Sequence, residues 1–501
     1  MAKTAASPTW TFDIAAHGYG MLAGESRAST SGATFSRSQS YDGYGRPDTR
    51  STSIAGNAYS EVSAYDGYGR PMSRQDASGY TLTTNYTSNG YLSDLTDSRV
   101  GALYQVHTMT ARGQVDSDTR GNTPALNSTA VFDAQTGRIS SICSGTNCAL
   151  QDASYLFDKA GNLTQRERAT HAAPTIEAFT NDALNRLTLA QLTQVQGVTQ
   201  GTPITTASLS YDLLGNVCTK NGTAYHYSGY AGCTNHGSAG TPQAVKQVGT
   251  TTYQYDSDGN QTTSNSGRTL VYNALNQLAT ASTGTAQTAF QYDPDGGRFL
   301  RTDSGSAVPP PDCPSANDRI FCNGFEVSST GGTQNTYYIG NVEIIKNGTV
   351  TETRRYLAGV AIDYVRTSGS NETRYLFADH LGSIDVVASS TGALLEAMSF
   401  DAHGTRRDPN NWQGSAPTPV STTRGFTGHE HVDAMGLIHM NGRVYDPAIG
   451  RMLQADPLND AGNQGLNRYS YVLNNPLALT DPTGYMSWGQ ALRMVAAIVI
   501  T

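Results

Sequence analysis

Short runs of alternating apolar and polar residues fill the chain from residue 41 onward, separated by a recurring phrase. The phrase is an aromatic residue, Asp, two variable residues, Gly, then Asn or Arg and often an apolar residue. Clear copies begin at Tyr41, Tyr65, Phe132, Phe157, Tyr211, Tyr255 and Tyr292. When the weaker copies between them are included, the phrase recurs about every twenty-two residues. Asp bonds its own downstream backbone to open a turn, and Gly supplies a positive φ. Asn185 and Asn276 replace Gly in two copies and tolerate the same left-handed conformation. Each repeat therefore predicts about one β-hairpin.

Hairpins in series predict an all-β fold built around one long antiparallel sheet. Because strand twist accumulates and free edges favour aggregation, a sheet of this many strands must coil or close. The composition agrees, since 52 Gly, 28 Tyr and only 15% charged residues favour strands and turns over helices. At 501 residues the chain is expected to form either several domains or one large repeat-built body.

A second pattern occupies residues 375–485, where Asp-Pro and Asn-Pro pairs punctuate short aromatic or apolar runs. Each pair holds its first residue extended and starts a turn, which predicts strand, tight turn, strand, with little helix. The main runs are Y-L-F-A-D-H-L-G-S-I at 375–384, R-G-F-T-G-H-E at 424–430, G-L-I-H-M-N-G-R-V-Y-D-P at 436–447, Q-A-D-P-L at 454–458 and N-R-Y-S-Y-V-L-N-N-P-L-A-L-T-D-P-T-G-Y at 467–485.

These runs and the repeats before them resemble RHS-repeat (YD-repeat) proteins, the family that includes bacterial polymorphic toxins and the C components of insecticidal Tc toxins. Teneurins carry a similar YD shell. The resemblance implies a sheet that spirals into a full or partial hollow shell. It also implies an organisation into a degenerate or frayed N-terminal segment (1–40), YD repeats (41–303), a Pro- and Cys-containing insertion (304–336), an RHS-associated core domain (337–485) and a truncated variable tail (486–501).

The resemblance further implies an aspartic autoprotease in the core domain. In the family, cleavage follows a D-P-x-G-hydrophobic motif, which places the cut here between Tyr485 and Met486. The implied catalytic pair is Asp481 with Asp456, and Arg451 would stabilise charge. Two close carboxylates cannot easily both ionise, so one keeps a proton while the other activates water. The family usually has Leu where Tyr485 stands, and the alternative is that both aspartates only start Asp-Pro turns.

The function implied is that of a shell module in a polymorphic-toxin-type protein. Such a module encapsulates or carries a C-terminal effector and releases it by cutting itself. The expected partners are the chain's own effector segment, a secretion apparatus or cell-surface glycans. The effector is absent or truncated in this sequence, because only sixteen residues follow Tyr485. The alternative is a cell-surface adhesion or carbohydrate-binding YD-repeat protein without enzymatic activity. A secreted or surface-associated bacterial location is expected, with no export route encoded in the chain.

Several function classes are disfavoured by charge and hydropathy. The net charge is −8 and Lys and Arg are scattered singly, so no cationic groove for nucleic acid is predicted. The sequence contains no run of about 18 apolar residues, so it predicts no membrane-spanning helix. The sequence predicts no cofactor.

Cysteine and histidine positions predict no metal site. The six cysteines fall into local pairs, which allow either three small disulfides or unpaired thiols: Cys143 with Cys148, Cys218 with Cys233, and Cys313 with Cys322. None has C-x-x-C spacing, so structural zinc is improbable. His429, Glu430, His431 and His439 lack the helical His spacing of zinc hydrolases and are interpreted as surface or rim residues. Arg443 and the Asp379-His380 pair are interpreted as structural, holding turns and strand ends.

Overall fold

A computed structural model of the chain describes residues 8–28, 32–169, 173–228, 233–235, 242–305, 332–458 and 466–485. The described residues form strands and turns, and their helical segments are short 3-10 turns at Thr146–Cys148, Phe426–Gly428, Asp433–Met435 and Val472–Asn474. Among these residues, no helix combines the length and the apolar character that crossing a bilayer requires.

Thirty-four strands belong to one sheet. The first seventeen are β1 (Pro8–Phe12), β2 (Leu22–Arg27), β3 (Phe35–Tyr41), β4 (Pro47–Ile54), β5 (Asn57–Tyr65), β6 (Pro71–Gln75), β7 (Thr81–Tyr86), β8 (Leu92–Asp97), β9 (Gly101–Met109), β10 (Val115–Arg120), β11 (Leu126–Phe132), β12 (Ile139–Ser144), β13 (Gln151–Phe157), β14 (Leu163–Arg168), β15 (Thr175–Asn181), β16 (Leu187–Val195) and β17 (Val198–Tyr211). The others are β18 (Val217–Lys220), β19 (Thr223–Tyr227), β20 (Thr234–Asn235), β21 (Val245–Val248), β22 (Thr251–Tyr255), β23 (Gln261–Ser264), β24 (Arg268–Tyr272), β25 (Leu278–Thr283), β26 (Ala286–Tyr292), β27 (Arg298–Ser304), β28 (Thr333–Ile339), β29 (Val342–Asn347), β30 (Val350–Leu357), β31 (Ala361–Arg366), β32 (Glu372–Ala378), β33 (Ile384–Ser389) and β34 (Leu394–Ala397).

We call this sheet the wall. Its strands pair antiparallel with their chain neighbours, apart from β20, which runs parallel to β19. The prediction of an all-β fold with one long antiparallel sheet is confirmed. Residues 8–28 contribute β1 and β2 to the wall, and the strands between 333 and 397, which the sequence assigns to the core domain, continue it. Most of the predicted insertion and all of the tail 486–501 lie outside the described residues.

Residues 398–485 follow the wall, and we call them the C-terminal segment. They contain a two-stranded sheet of β35 (Ser399–Phe400) and β36 (Arg406–Arg407). They also contain a four-stranded sheet of β37 (Glu430–Val432), β38 (Leu437–Met440), β39 (Arg443–Asp446) and β40 (Arg451–Met452).

The repeat phrase forms the turns of the wall, as predicted. In the first copy, Asp42 Oδ1 accepts hydrogen bonds from the backbone N–H groups of Tyr44 (2.9 Å) and Arg46 (3.0 Å). The glycine of that copy, Gly45, has a φ of 76°. Asn185 and Asn276 adopt φ values of 63° and 60°, which confirms that Asn replaces Gly in the left-handed position.

The aromatic residue of the phrase joins successive hairpins. In five of the clear copies the tyrosine hydroxyl donates to a backbone carbonyl of an earlier strand, at Tyr41 to Leu22 (2.7 Å), Tyr65 to Pro47 (2.8 Å), Tyr211 to Leu187 (2.6 Å), Tyr255 to Val245 (2.9 Å) and Tyr292 to Leu278 (2.7 Å). These tyrosines therefore brace the wall along its length, and the repeat encodes both the turn and the tie to its neighbour.

The wall coils, because strands far apart in sequence pack together. The rings of Phe35 and Phe299 lie 4.9 Å apart, in a cluster that joins β3 to β27. A second cluster joins Leu95 and Leu126 to Phe377, so β8 and β11 pack against β32. A coiled sheet of this kind is a partial shell.

Buried ion pairs fasten the C-terminal segment to the wall. They include Glu177 with Arg407 (2.8 Å), Arg301 with Glu430 (2.7 Å) and Arg268 with Asp446 (2.7 Å). Glu177 is fully buried and also accepts a hydrogen bond from Arg166 Nη2 (2.8 Å). Removing one partner of such a pair leaves an uncompensated buried charge, which makes these pairs sensitive points of the fold.

The lowered pKa of Glu177 predicts that the contact between the wall and the C-terminal segment is sensitive to acid. Burial raises the pKa of its carboxyl, but Arg407 and Arg166 outweigh burial and lower the pKa from 4.5 to about 2. A depressed folded-state pKa contributes stability above pH 4.5 that is lost as the pH falls towards 2. We expect Glu177→Gln to lower the free energy of unfolding at pH 7 by about 3 kcal/mol and to flatten its decline below pH 4.5.

Thermal unfolding measured from pH 7 down to pH 3 checks this expectation. The control is Glu372→Gln, because the Glu372 side chain is 35% exposed and its loss should change stability by less than about 1 kcal/mol. Equal melting temperatures for Glu177→Gln and the wild type at pH 7 would contradict the assignment.

Candidate active site

The hairpin of β38 and β39 forms the floor of the candidate site. All eight strand residues are buried, so the hairpin is held rigidly inside the C-terminal segment. Its turn consists of Asn441, which has a φ of 64°, and Gly442. The first residue after the turn is Arg443, whose side chain is 4% exposed. The alternating run L-I-H-M-N-G-R-V-Y-D thus places one buried guanidinium directly beside a tight turn.

The predicted cleavage motif, residues 481–485, lies on this turn. The backbone N–H of Gly442 donates to Thr483 O (2.9 Å), and Asn441 Nδ2 donates to Pro482 O (3.1 Å). Arg443 Nε donates to Gly484 O. Gly484 has a φ of 75°, and a Cβ at this position would overlap Met440 O and the backbone nitrogen of Arg443. The close approach of the two backbones therefore requires glycine in the motif.

The two predicted aspartates meet on a single atom of Arg443. Arg443 Nη2 lies 2.8 Å from Asp456 Oδ2 and 3.5 Å from Asp481 Oδ2. The other terminal nitrogen, Nη1, donates to Arg468 O (3.2 Å). The same carbonyl oxygen accepts the backbone N–H of Asp456 (2.9 Å). One guanidinium thus contacts both carboxylates and the carbonyl of Gly484.

The surroundings of the two carboxylates differ. Asp481 is 3% exposed, and its Oδ1 accepts hydrogen bonds from the backbone N–H groups of Gly484 (2.9 Å) and Thr483 (3.3 Å). The Asp456 side chain is 13% exposed, against 4% for that of Asp481. The more accessible carboxylate is the one on which a water molecule can more easily bind.

His429 contacts the backbone of Asp481. Its Nε2 lies 2.9 Å from Asp481 O. Burial lowers the pKa of His429, while the hydrogen bond and the charge of Asp481 act in the opposite direction. The imidazole is therefore neutral at pH 7, and the contact is a donated N–H bond to the carbonyl.

Tyr485, the last residue before the predicted cut, packs against the turn of the β38–β39 hairpin. Its ring covers Gly442 so closely that a Cβ there would overlap the ring. Burial raises the pKa of the Tyr485 hydroxyl, Arg443 acts to lower it, and Asp456 acts to raise it further. The aromatic ring and both charged groups therefore occupy the same small region, whereas Met486 lies outside the described residues.

Solved structures share this architecture across almost the whole chain. A crystal structure of TcdB2–TccC3–Cdc42 superposes with a TM-score of 0.71 over 98% of this chain and 27% of that one, at 19% identity. A Tc holotoxin pore from Photorhabdus luminescens gives 0.71 over 96% of this chain and 26% of that one, at 19% identity. The chain has the fold of an RHS-type toxin shell. The predicted resemblance is thereby confirmed.

Three curated proteins with similar sequences are each much longer than this chain. The tRNA nuclease WapA of Bacillus subtilis is 28% identical over 259 residues, which are 47% of this chain and 11% of WapA. Toxin subunit YenC1 of Yersinia entomophaga is 34% identical over 117 residues (23% and 11%). The double-stranded DNA deaminase toxin A of Burkholderia cenocepacia is 27% identical over 244 residues (46% and 17%). The chain thus spans less than a fifth of each relative. No protein-family model matches the sequence.

Arg451, predicted to stabilise charge at the aspartates, has a different place in the RHS-type shell. It is 1% exposed, and its Nη2 donates to Asn216 Oδ1 (3.2 Å), Gln243 O (3.1 Å) and Asn467 Oδ1 (3.0 Å). These contacts tie the C-terminal segment to a turn of the wall. Arg443, interpreted from the sequence as structural, is the arginine that contacts both aspartates.

The other sequence candidates are structural in the RHS-type shell. His429, His431 and His439 are 6%, 4% and 2% exposed, which corrects their interpretation as surface or rim residues. Their apolar neighbours in the strands β37 and β38 carry them inside. Asp379 Oδ1 accepts the backbone N–H groups of Leu381 (2.9 Å) and Ser383 (2.8 Å), as its turn role predicts.

Proposed function

We propose that the chain is the shell and release module of a toxin-type protein. Its wall encloses a C-terminal effector, and the C-terminal segment cuts the peptide bond between Tyr485 and Met486. The observation that carries the proposal is the contact of Asp456 and Asp481 with one nitrogen of Arg443, beside the carbonyl of Gly484.

The chemistry follows from the unequal surroundings of the two carboxylates. Asp456, the more accessible and the closer to Arg443, acts as the base that takes a proton from water. The water oxygen attacks the carbonyl carbon of Tyr485. Asp481, more deeply buried and at 3.5 Å from Arg443, holds the shared proton and gives it to the carbonyl oxygen. The C–N bond then breaks. The departing nitrogen of Met486 takes the proton held by Asp456, and the hydroxyl formed from the carbonyl oxygen returns its proton to Asp481, which leaves a carboxyl group on Tyr485.

Binding of the substrate segment to the hairpin supports this assignment. Three hydrogen bonds from Asn441, Gly442 and Arg443 hold the carbonyls of residues 482–484. A peptide that belongs to the same chain and is fixed in this way reacts at a high effective concentration. The residues immediately before the proposed cut are therefore held against the hairpin by bonds within the same chain.

The comparisons support the shell half of the proposal. Relatives are named as toxins or toxin subunits, and one solved structure is TcdB2–TccC3 without its hypervariable C-terminal region. By analogy, the region that follows Tyr485 in this chain would be the variable effector, and a further toxin component would be its partner. We infer a secreted location on the same ground.

Intact-mass measurement under denaturing conditions tests the cut. Wild-type chain should separate into residues 1–485 and a sixteen-residue peptide, 486–501, whereas Asp456→Asn and Asp481→Asn should remain whole. Each substitution keeps the shape of the side chain and removes its acid–base capacity. The matched control is Asp433→Asn, because the Asp433 side chain is 41% exposed and pairs with Arg406 away from the site.

Two results would overturn the cleavage proposal. One is a well-folded wild type that remains at its full mass. The other is an Asp456→Asn chain that is cut as completely as the wild type. Either result, with the fold intact, would leave the adhesion or carbohydrate-binding alternative as the better account of this shell.

A further inference from the structure

Three potential metal ligands meet at one turn of the wall. Among the residues that the structure describes, Asp212, Cys218 and Cys233 form the one cluster of His, Cys, Asp or Glu donors whose ligand atoms all lie within 4.8 Å of one another. Cys218 and Cys233 are joined in a disulfide, and Asp212 Oδ2 lies 3.5 Å from Cys233 Sγ. Asp212 and Cys233 are 6% and 7% exposed. The sequence predicted structural zinc to be improbable, because none of the cysteine pairs has C-x-x-C spacing.

The repeat turn holds the carboxylate in position. Asp212 Oδ1 accepts the backbone N–H groups of Leu214 (2.9 Å) and Asn216 (2.8 Å). Oδ2 accepts from Asn216 Nδ2 (2.8 Å) and is directed at the sulfur atoms. An outer hydrogen bond that orients a ligand carboxylate in this way is a usual feature of metal sites. The orientation comes from the turn, so it persists when the disulfide is broken.

We propose that the reduced form of the chain binds one divalent zinc-type ion through Asp212, Cys218 and Cys233. A cellular dithiol supplies two electrons and two protons to the disulfide and is itself oxidised to a disulfide, which leaves two thiols. Binding of the ion then releases both thiol protons. Two thiolates beside a buried carboxylate would be costly without a cation, and the ion compensates that charge.

The dimensions fit a tetrahedral ion. Zinc binds thiolate at about 2.3 Å and carboxylate oxygen at about 2.0–2.2 Å, so neighbouring ligand atoms lie roughly 3–4 Å apart. The three donor atoms already lie within 4.8 Å of one another, and the Cα atoms of the two cysteines are 5.1 Å apart. Reduction therefore needs only a small separation of the sulfur atoms, and water completes the fourth position.

The site would crosslink the same two parts of the chain both in an oxidising and in a reducing compartment. Asn216, which orients Asp212, also accepts hydrogen bonds from Arg451 (3.2 Å) and Asn467 (2.9 Å) of the C-terminal segment. A disulfide would fasten this joint outside the cell, and a bound ion would fasten it in a reducing cytosol. This inference does not depend on self-cleavage.

Zinc content of the purified full chain tests the proposal. The chain is reduced with a phosphine, incubated with Zn²⁺, desalted and analysed by elemental mass spectrometry. We expect one zinc per chain in the reduced wild type and none at this site in the oxidised protein. Asp212→Asn keeps the turn and should weaken zinc binding about tenfold or more. The double variant Cys218→Ser/Cys233→Ser should lose the zinc.

Two matched variants and a spectrum complete the test. Cys143→Ser/Cys148→Ser removes the other described disulfide, and Cys313→Ser/Cys322→Ser removes the pair outside the described residues. Both should retain one zinc per chain. Co²⁺ in place of zinc should give thiolate-to-metal absorption in the wild type and none in Cys218→Ser/Cys233→Ser. A reduced, folded wild type without zinc, or full zinc content after loss of Cys218 and Cys233, overturns the proposal.

Discussion

Replacing Arg355 by methionine should lower the free energy of unfolding by about 3–5 kcal/mol. Arg355 is fully buried, and its guanidinium binds three aspartates: Asp76 (2.7 Å) through Nε, Asp363 (2.7 Å) through Nη1 and Asp97 through Nη2. Asp76 directly follows the early strand β6 and Asp97 ends β8, whereas Arg355 lies on β30. The substitution would leave three buried carboxylates without their shared cation, at the place where the coiled wall meets itself.

Urea unfolding followed by circular dichroism measures this loss, and hydrogen exchange locates it. Protection should fall first in β6–β9 and β30–β32, while the distant strands β15–β17 remain protected. The control is Arg46→Met, since Arg46 pairs with Asp42 at the surface of a turn and its loss should leave the unfolding midpoint nearly unchanged. Equal midpoints for Arg355→Met and the wild type would refute the role of Arg355.

The local structure of the wall could be predicted from sequence because its causes are local. The Asp42 and Asp66 turns need only an acceptor and a left-handed glycine within four residues, and both are visible in the repeat phrase. The same reasoning correctly assigned Asn185 and Asn276 to left-handed positions. An all-β fold then follows from adding such hairpins in series.

The contacts that close the shell could not be predicted in this way. Arg355 and Asp76 are separated by 279 residues, and no sequence period relates them. The direction in which the sheet coils decides which strands meet, and this depends on the accumulated twist of many strands. The family resemblance predicted that the sheet coils, but it did not predict which residues stabilise the coiled form.

The candidate site was predicted in part, for a similar reason. The two Asp-Pro turns that carry Asp456 and Asp481 are evident in the sequence, and the structure brings both side chains to one guanidinium. Arg451 is nearer to Asp456 in the chain than Arg443 is, yet it points to the wall. The register of β38 with β39 places Arg443 beside residues 481–485, and register depends on cross-strand packing rather than on proximity in sequence.

Arg443 provides the sharpest test of the cleavage chemistry. On the proposed function, Arg443→Gln should slow self-cleavage by about 10²–10³-fold, the usual cost of removing a preorganised electrostatic group. The guanidinium contacts the carboxyl groups of Asp456 and Asp481 and also holds the carbonyl of Gly484, and glutamine cannot do both. Arg443→Lys retains the charge without the forked geometry, so its rate should lie between those of the glutamine variant and the wild type.

Cell-free synthesis of labelled chain, sampled over time and resolved under denaturing conditions, gives these rates. Each variant is also checked for a native circular dichroism spectrum, because Arg443 is buried and its loss could act through folding alone. If folding were the only effect, Arg443→Lys and Arg443→Gln would be cut in proportion to their folded fractions. Arg406→Gln is the control, since Arg406 pairs with the 41% exposed Asp433 and should be cut at the wild-type rate. A folded Arg443→Gln chain cut as fast as the wild type would exclude Arg443 from the reaction, and with it the shared guanidinium on which the proposed acid–base pair depends.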